Sequence, residues 1–140
     1  MNAKKFLIGG VVAGIIYFLL GWLAYGNLLV PFFYDHPGLT TGFKRDTPLY
    51  IYIIAGNLLF GFLLSYIFVR TQVNTFGDGF RRGAVIGFLA SSSYDSLQYA
   101  TTTLTTRPAV LVDVITFTVI SAIAGAIAAI ASGSGAPELS

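Results

Sequence analysis

The sequence predicts an all-α integral membrane protein, a four-helix bundle of up-down-up-down topology with both termini on the cytoplasmic side. Three observations carry this reading. Of the 140 residues, 55% are hydrophobic and only 10% are charged, against about 25% charged in an ordinary soluble domain. The apolar residues gather in four long stretches, each close to the roughly 20 residues that a helix needs to cross the hydrocarbon core. These stretches lack the strict alternation of a membrane barrel. One domain, residues 1–140, is the natural division.

The first span, residues 6–30, follows Lys4 and Lys5. It exceeds the apolar run of a secretory leader, and no small-x-small site ends it, so it is expected to persist as a helix. Gly10, Gly14, Tyr17, Gly21 and Tyr25 share one stripe of that helix. Glycines permit close helix approach, and tyrosine hydroxyls need acceptors when buried. Residues 31–48 form an outer loop whose aromatic side chains suit the headgroup level. The second span, 49–69, carries Asn57, Gly61 and Ser65. Gly77-Asp78-Gly79, in the inner connection, reads as a turn before the third span, 83–104. After a tight turn, Pro108 is placed to open the fourth span, 109–131. The Gly/Ser-rich tail, 132–140, is expected to be flexible.

The glycine pairs Gly10/Gly14 and Gly83/Gly87 open the two halves similarly, as a parallel duplication would. Gly10, Gly14, Gly21, Gly83 and Gly87 are read as packing positions. Lys4, Lys5, Arg70, Arg81 and Arg82 fall on one side, and Lys44, Arg45 and Arg107 on the other. The excess of basic residues places the termini inside. The net charge of +2 resides in short flanking clusters, which suit anionic lipid and not nucleic acid.

The functional signal lies in the third span. Asp95 stands about midway between Arg82 and Arg107, roughly 18–20 Å of helix from either. A carboxylate at that depth costs about 3 kcal/mol or more unless a partner or proton meets it. At about 100° per residue, Ser91, Ser92, Gln98, Tyr99 and Thr102 lie within about 60° of it. Lipid cannot solvate such a stripe, so it must face helices, another subunit or a water-filled cavity. Asp113 enters the next span near its N-terminus, where the helix dipole favours an acid. The expected ligand- or proton-binding set is Asp95, Tyr99, Gln98, Asn57, Asp113, Tyr25, Tyr17 and Ser91. The alternative for the same residues is a hydrogen-bonded seam that only holds the bundle together.

Several chemistries are excluded or thinly supported. The chain has no cysteine, hence no disulfide or thiolate site. His36, with Asp35 and Asp46, offers a poorly preorganised metal set on a loop, so no metal and no cofactor are expected. There is no HExxH, no phosphate loop and no Ser-His-Asp set at membrane depth, and no catalytic residue is assigned.

The run from Gly14 to Gly26, with Ala55-Gly56-Asn57-Leu58-Leu59, Phe76-Gly77-Asp78-Gly79, Tyr94-Asp95 with Tyr99, and Leu111-Val112-Asp113-Val114, resembles a family of small bacterial membrane proteins. That family is catalogued as a domain of unknown function (number 1761). The resemblance implies four membrane helices and a bacterial cytoplasmic membrane, and it supplies no activity. The third span here is richer in serine than that family leads one to expect.

Three functional readings follow. The first is a binder or transporter of a small polar solute, ion or proton, centred on Asp95 and expected to be a homo-oligomer in the lipid bilayer. The second is a non-catalytic accessory subunit of a larger membrane complex. The third is a lipid-processing enzyme, for which the acid/base set is thin.

Overall fold

The computed structural model describes residues 1–39 and 45–133. Among them there are helices and no strands: α1 (Ala3–Leu23), a π-helical turn (Ala24–Leu28), α2 (Val30–Asp35), α3 (Tyr50–Arg70), α4 (Phe76–Thr101) and α5 (Arg107–Gly133). Lys44 and the tail from 134 onward, both part of the sequence reading, lie outside the described residues.

Asn2 caps α1, its side chain accepting from the Lys5 amide at 3.1 Å. The far end of α1 is shaped by Pro31. A proline in a continuing α-helix lacks its amide donor and collides with the carbonyl four residues back. The chain instead widens just before it, with the Leu29 amide donating to the Ala24 carbonyl at 2.8 Å. Pro31 then sits in the first turn of α2, where its missing donor is harmless. The stretch assigned to the outer loop therefore begins as helix, through Asp35.

At its other end, α3 closes on Gln72, which holds a left-handed φ of 54°. This lets the Val73 amide reach the Phe68 carbonyl at 2.9 Å, and Val73 buries beside Phe68 in the core.

The expected turn at Gly77-Asp78-Gly79 is instead the first turn of α4. Thr75 caps it, its hydroxyl accepting from the Asp78 amide at 3.3 Å, and Asp78 meets the positive end of the helix dipole. The helix thus starts well before residue 83. It also stops short of 104: Thr102 is extended and its hydroxyl donates to the Gln98 carbonyl at 2.8 Å. Thr102 therefore leaves the polar stripe.

The long helices pack in the order α3–α1–α5–α4, and α3 and α4 barely meet. Each end pair is joined by glycines. On α1, Gly10 and Gly14 receive Gly61 of α3; a Cβ at Gly61 would fall 2.8 Å from the Gly14 Cα. On α4, the buried residues are Gly79, Gly83, Gly87, Ser91 and Asp95, every fourth position along the helix. This is the small-xxx-small row that brings membrane helices to backbone contact. A Cβ at Gly79 would meet that of Ala129 at 2.6 Å, and one at Gly83 the Gly125 Cα at 3.2 Å. A Cβ at Gly87 would run into the Ser121 side chain. Between the two pairs lies a core of Ala13, Tyr17, Leu64, Phe68, Ile120, Ala124 and Ala128. The Tyr17 ring packs edge-on to Phe60 and stacked on Phe117.

Gly21 departs from the expected packing role. Nothing lies within 4 Å of a Cβ built there, because α1 and α3 have already diverged.

Among the described residues three helical segments are long and apolar enough to cross a membrane: Ala3–Leu28, Tyr50–Arg70 and Arg107–Gly133. Their outward faces carry large apolar residues such as Leu19, Ile54, Leu63 and Ile115.

The seam yields a direct test. Gly83→Ala should cost about 1–3 kcal/mol, the usual penalty of overpacking a close contact, read as a lower unfolding midpoint in detergent titration. Gly56→Ala, with nothing within 4 Å of the new methyl, should be neutral or stabilising by up to about 1 kcal/mol through helix propensity.

Candidate functional site: an acid pair at the end of the glycine row

The four-residue row on α4 ends at Asp95, and the same register continues across the interface. Gly79 faces Ala129, Gly83 faces Gly125 and Gly87 faces Ser121. Two further steps of four residues, past Ser91 and Phe117, bring Asp95 opposite Asp113. The two carboxyl groups are near enough to interact electrostatically. Asp95 is buried, at 7% exposure, and its Oδ2 has no hydrogen-bond donor among the described residues. Two carboxylates accept and cannot donate, so two ionised acids this close repel, and a bound proton or cation relieves that repulsion.

Tyr25 completes the site from α1. Its hydroxyl reaches the Asp113 carbonyl at 3.4 Å and lies close to both acid side chains. The position of Tyr25 follows from Pro31, since the π-helical turn that accommodates the proline contains the tyrosine. Such turns often occur where a helix is bent to serve a site. Asp113 and Tyr25 also line a recess of about 340 Å³ with Val30, Phe33 and Tyr34.

The remaining residues of the expected set divide. Ser91 lies one turn from Asp95 in the same buried row, and its hydroxyl donates to the Gly87 carbonyl at 2.8 Å. Gln98 is half-buried, about one turn further along α4. Tyr99 turns away: it is 40% exposed and accepts from the Arg107 side chain at 3.0 Å, tying the ends of α4 and α5. Tyr17 sits deeper, with its hydroxyl beside that of Ser121. Neither hydroxyl has a well-aligned hydrogen bond. Asn57 donates to the Ile53 carbonyl of its own helix at 2.8 Å and faces a different space.

That space is a cavity of about 520 Å³ among α1, α3 and α5, bordered by Tyr17, Trp22, Tyr25, Tyr50, Asn57 and Phe117. Gly21 forms part of its wall, which accounts for the open space at that glycine. The sequence reading missed this cavity and Ser121. Both were signalled by small residues, Gly21 on α1 and the Ser/Ala/Gly run of α5, that outnumber what packing alone needs.

Among the described residues no three His, Cys, Asp or Glu side chains converge as metal ligands would. Compared with protein-family models, with curated proteins and with solved structures, the chain matches none.

The acid pair carries a stability signature. At high pH, where the pair holds no proton, Asp95→Asn or Asp113→Asn alone should stabilise the fold relative to wild type by about 1.5–3 kcal/mol, because the amide supplies the donor that the wild-type pair then lacks. The double substitution should gain less than the sum. Unfolding midpoints of the four proteins check this, and strict additivity would show that the two side chains do not interact.

Proposed function

We propose that this chain is a small four-span membrane protein that binds a proton or small cation at Asp95 and Asp113 and couples it to movement of a solute across the bilayer. The observation that carries the reading is two adjoining acids, one of them buried, with a tyrosine beside them and no basic partner for either among the described residues. A purely structural seam gains nothing from opposing two like charges, whereas a proton or cation site requires them.

A fourth span is supported by packing. The hydropathy of α4 alone does not mark it as a span, but α4 lies antiparallel to α5 from the Gly79–Ala129 contact onward. A bilayer that holds α5 holds α4 beside it. With cytoplasmic termini, Arg81 and Arg82 lie at the inner headgroups and Arg107 at the outer ones. The bacterial cytoplasmic membrane and membership of the uncharacterised four-helix family belong to this proposal and add no activity to it.

A second reading rests on the outer side of α4. Ser93, Tyr94 and Ser96 are exposed there at the level of Asp95, and α4 has only α5 as a substantial neighbour. Hydroxyls at that depth are better covered by protein than by lipid. A second copy of the chain, or an unrelated membrane subunit, would provide that cover.

Flux decides between them. In proteoliposomes with an imposed pH gradient, the wild type should dissipate the gradient, and Asp95→Asn and Asp113→Asn should each slow it at least tenfold while remaining folded. Undiminished flux in both variants, or none in the wild type, would leave the accessory-subunit reading in its place.

A further inference from the structure

The cavity among α1, α3 and α5 has a definite cause. The two helices α1 and α3 are pinned where Gly10, Gly14 and Gly61 meet, and they diverge beyond that crossing. Gly21, in the cavity wall, has no neighbour within 4 Å of a Cβ. The resulting space, about 520 Å³, lies in the range of sites that hold small-molecule ligands.

Its lining is chemically one-sided. Tyr17, Trp22, Tyr25, Tyr50 and Phe117 border it, Asn57 is its amide, and no Lys, Arg, Asp or Glu among the described residues faces it. Aromatic walls of this kind accommodate apolar bodies and attract positive charge to the ring faces. The charge behind the wall has the matching sign. Tyr25 borders this cavity and also the recess that contains Asp113, and its hydroxyl is directed at the Asp113 carbonyl. Phe117, one turn along α5 from Asp113, forms another part of the same wall. A ligand in the cavity is therefore separated from the acid pair by about one tyrosine ring. An anion there would be repelled, and a neutral molecule would gain nothing from the acids.

We infer that this cavity is a binding site for a lipophilic organic cation, held by the aromatic wall and attracted by the Asp95–Asp113 pair through Tyr25. The inference rests on the proton or cation reading of that pair and names the class of solute that it would serve. Because one negative site attracts both species, protons and the organic cation compete. Affinity for the cation therefore falls as proton concentration rises, with Tyr25 on α1, Asp95 on α4 and Asp113 on α5 as the groups that face the shared site.

Trp22 is the single tryptophan of the chain and borders the cavity, so its emission reports occupancy directly. The full chain in nanodiscs of zwitterionic lipid is titrated with tetraphenylphosphonium and, separately, with tetraphenylborate, which has the same shape and the opposite charge. The phosphonium should change Trp22 emission saturably, and the borate should bind this site at least tenfold more weakly. Gly21→Leu, whose Cβ has no neighbour within 4 Å, extends into the cavity and should abolish the saturable response with an unchanged unfolding midpoint. The Asp95→Asn/Asp113→Asn double variant should weaken phosphonium binding about tenfold and remove its pH dependence.

Equal binding of both ions, or a saturable phosphonium response that survives Gly21→Leu, would overturn the inference. A flux that still depends on the acids while no phosphonium binds would remove only the organic cation and leave the proton site standing. Saturable phosphonium binding that is indifferent to both acids would overturn the link to the acid pair itself.

Discussion

The structure depends on one constraint, the approach of α4 to α5 at backbone distance. Five buried positions of α4 recur every fourth residue, and the first three are glycine. Two of these glycines would place a Cβ against the backbone of α5, so the register of the hairpin is fixed at every turn. Without a hydrophobic driving force between helices in lipid, such packing is what holds them together. The same register carries the chain outward from Gly87 to Ser91 and then to Asp95. Small residues at one end of the row thus place a carboxyl group opposite Asp113 at the other, without a polar contact having to draw the two together.

A second constraint, Pro31, acts from the opposite side. It forces the π-helical turn in which Tyr25 lies, and Tyr25 then meets Asp113. The site is assembled from three helices by two devices, a glycine row and a proline-induced bulge. Neither device contributes a ligand. The divergence of α1 from α3 adds the aromatic cavity, and Tyr25 is common to that cavity and to the acid pair.

Much of this was legible in the sequence because the relevant physics is local. The long apolar stretches, the membrane depth of Asp95 and the position of Asp113 near the start of its helix follow from hydropathy and helical spacing, whereas the partner of Tyr25, the Asp113 carbonyl, does not. What misled was ambiguity in glycine. Gly77-Asp78-Gly79 has the composition of a turn, yet Thr75 caps a helix there and Gly79 is the first member of the packing row. Counting back in fours from Asp95 reaches Gly79 and would have recovered it. Gly21 continues the stripe of Gly10 and Gly14, but whether a partner helix is still close that far along depends on the divergence of α1 from α3, which no local pattern encodes. Tyr99 lies on the side of Asp95 by helical spacing, but Arg107, brought near by the α4–α5 hairpin, offers its hydroxyl a nearer donor.

The central claim is that the α4–α5 register sets Asp95 against Asp113 within one chain. The absence of native cysteine makes a direct measurement clean: Asp95→Cys combined with Asp113→Cys, treated in the membrane with a short thiol-bridging reagent. The account predicts rapid bridging within a single chain, with Tyr94→Cys plus Asp113→Cys bridging far more slowly. No bridge, or bridges only between two chains, would contradict it and would move the acids out of a common site in one molecule.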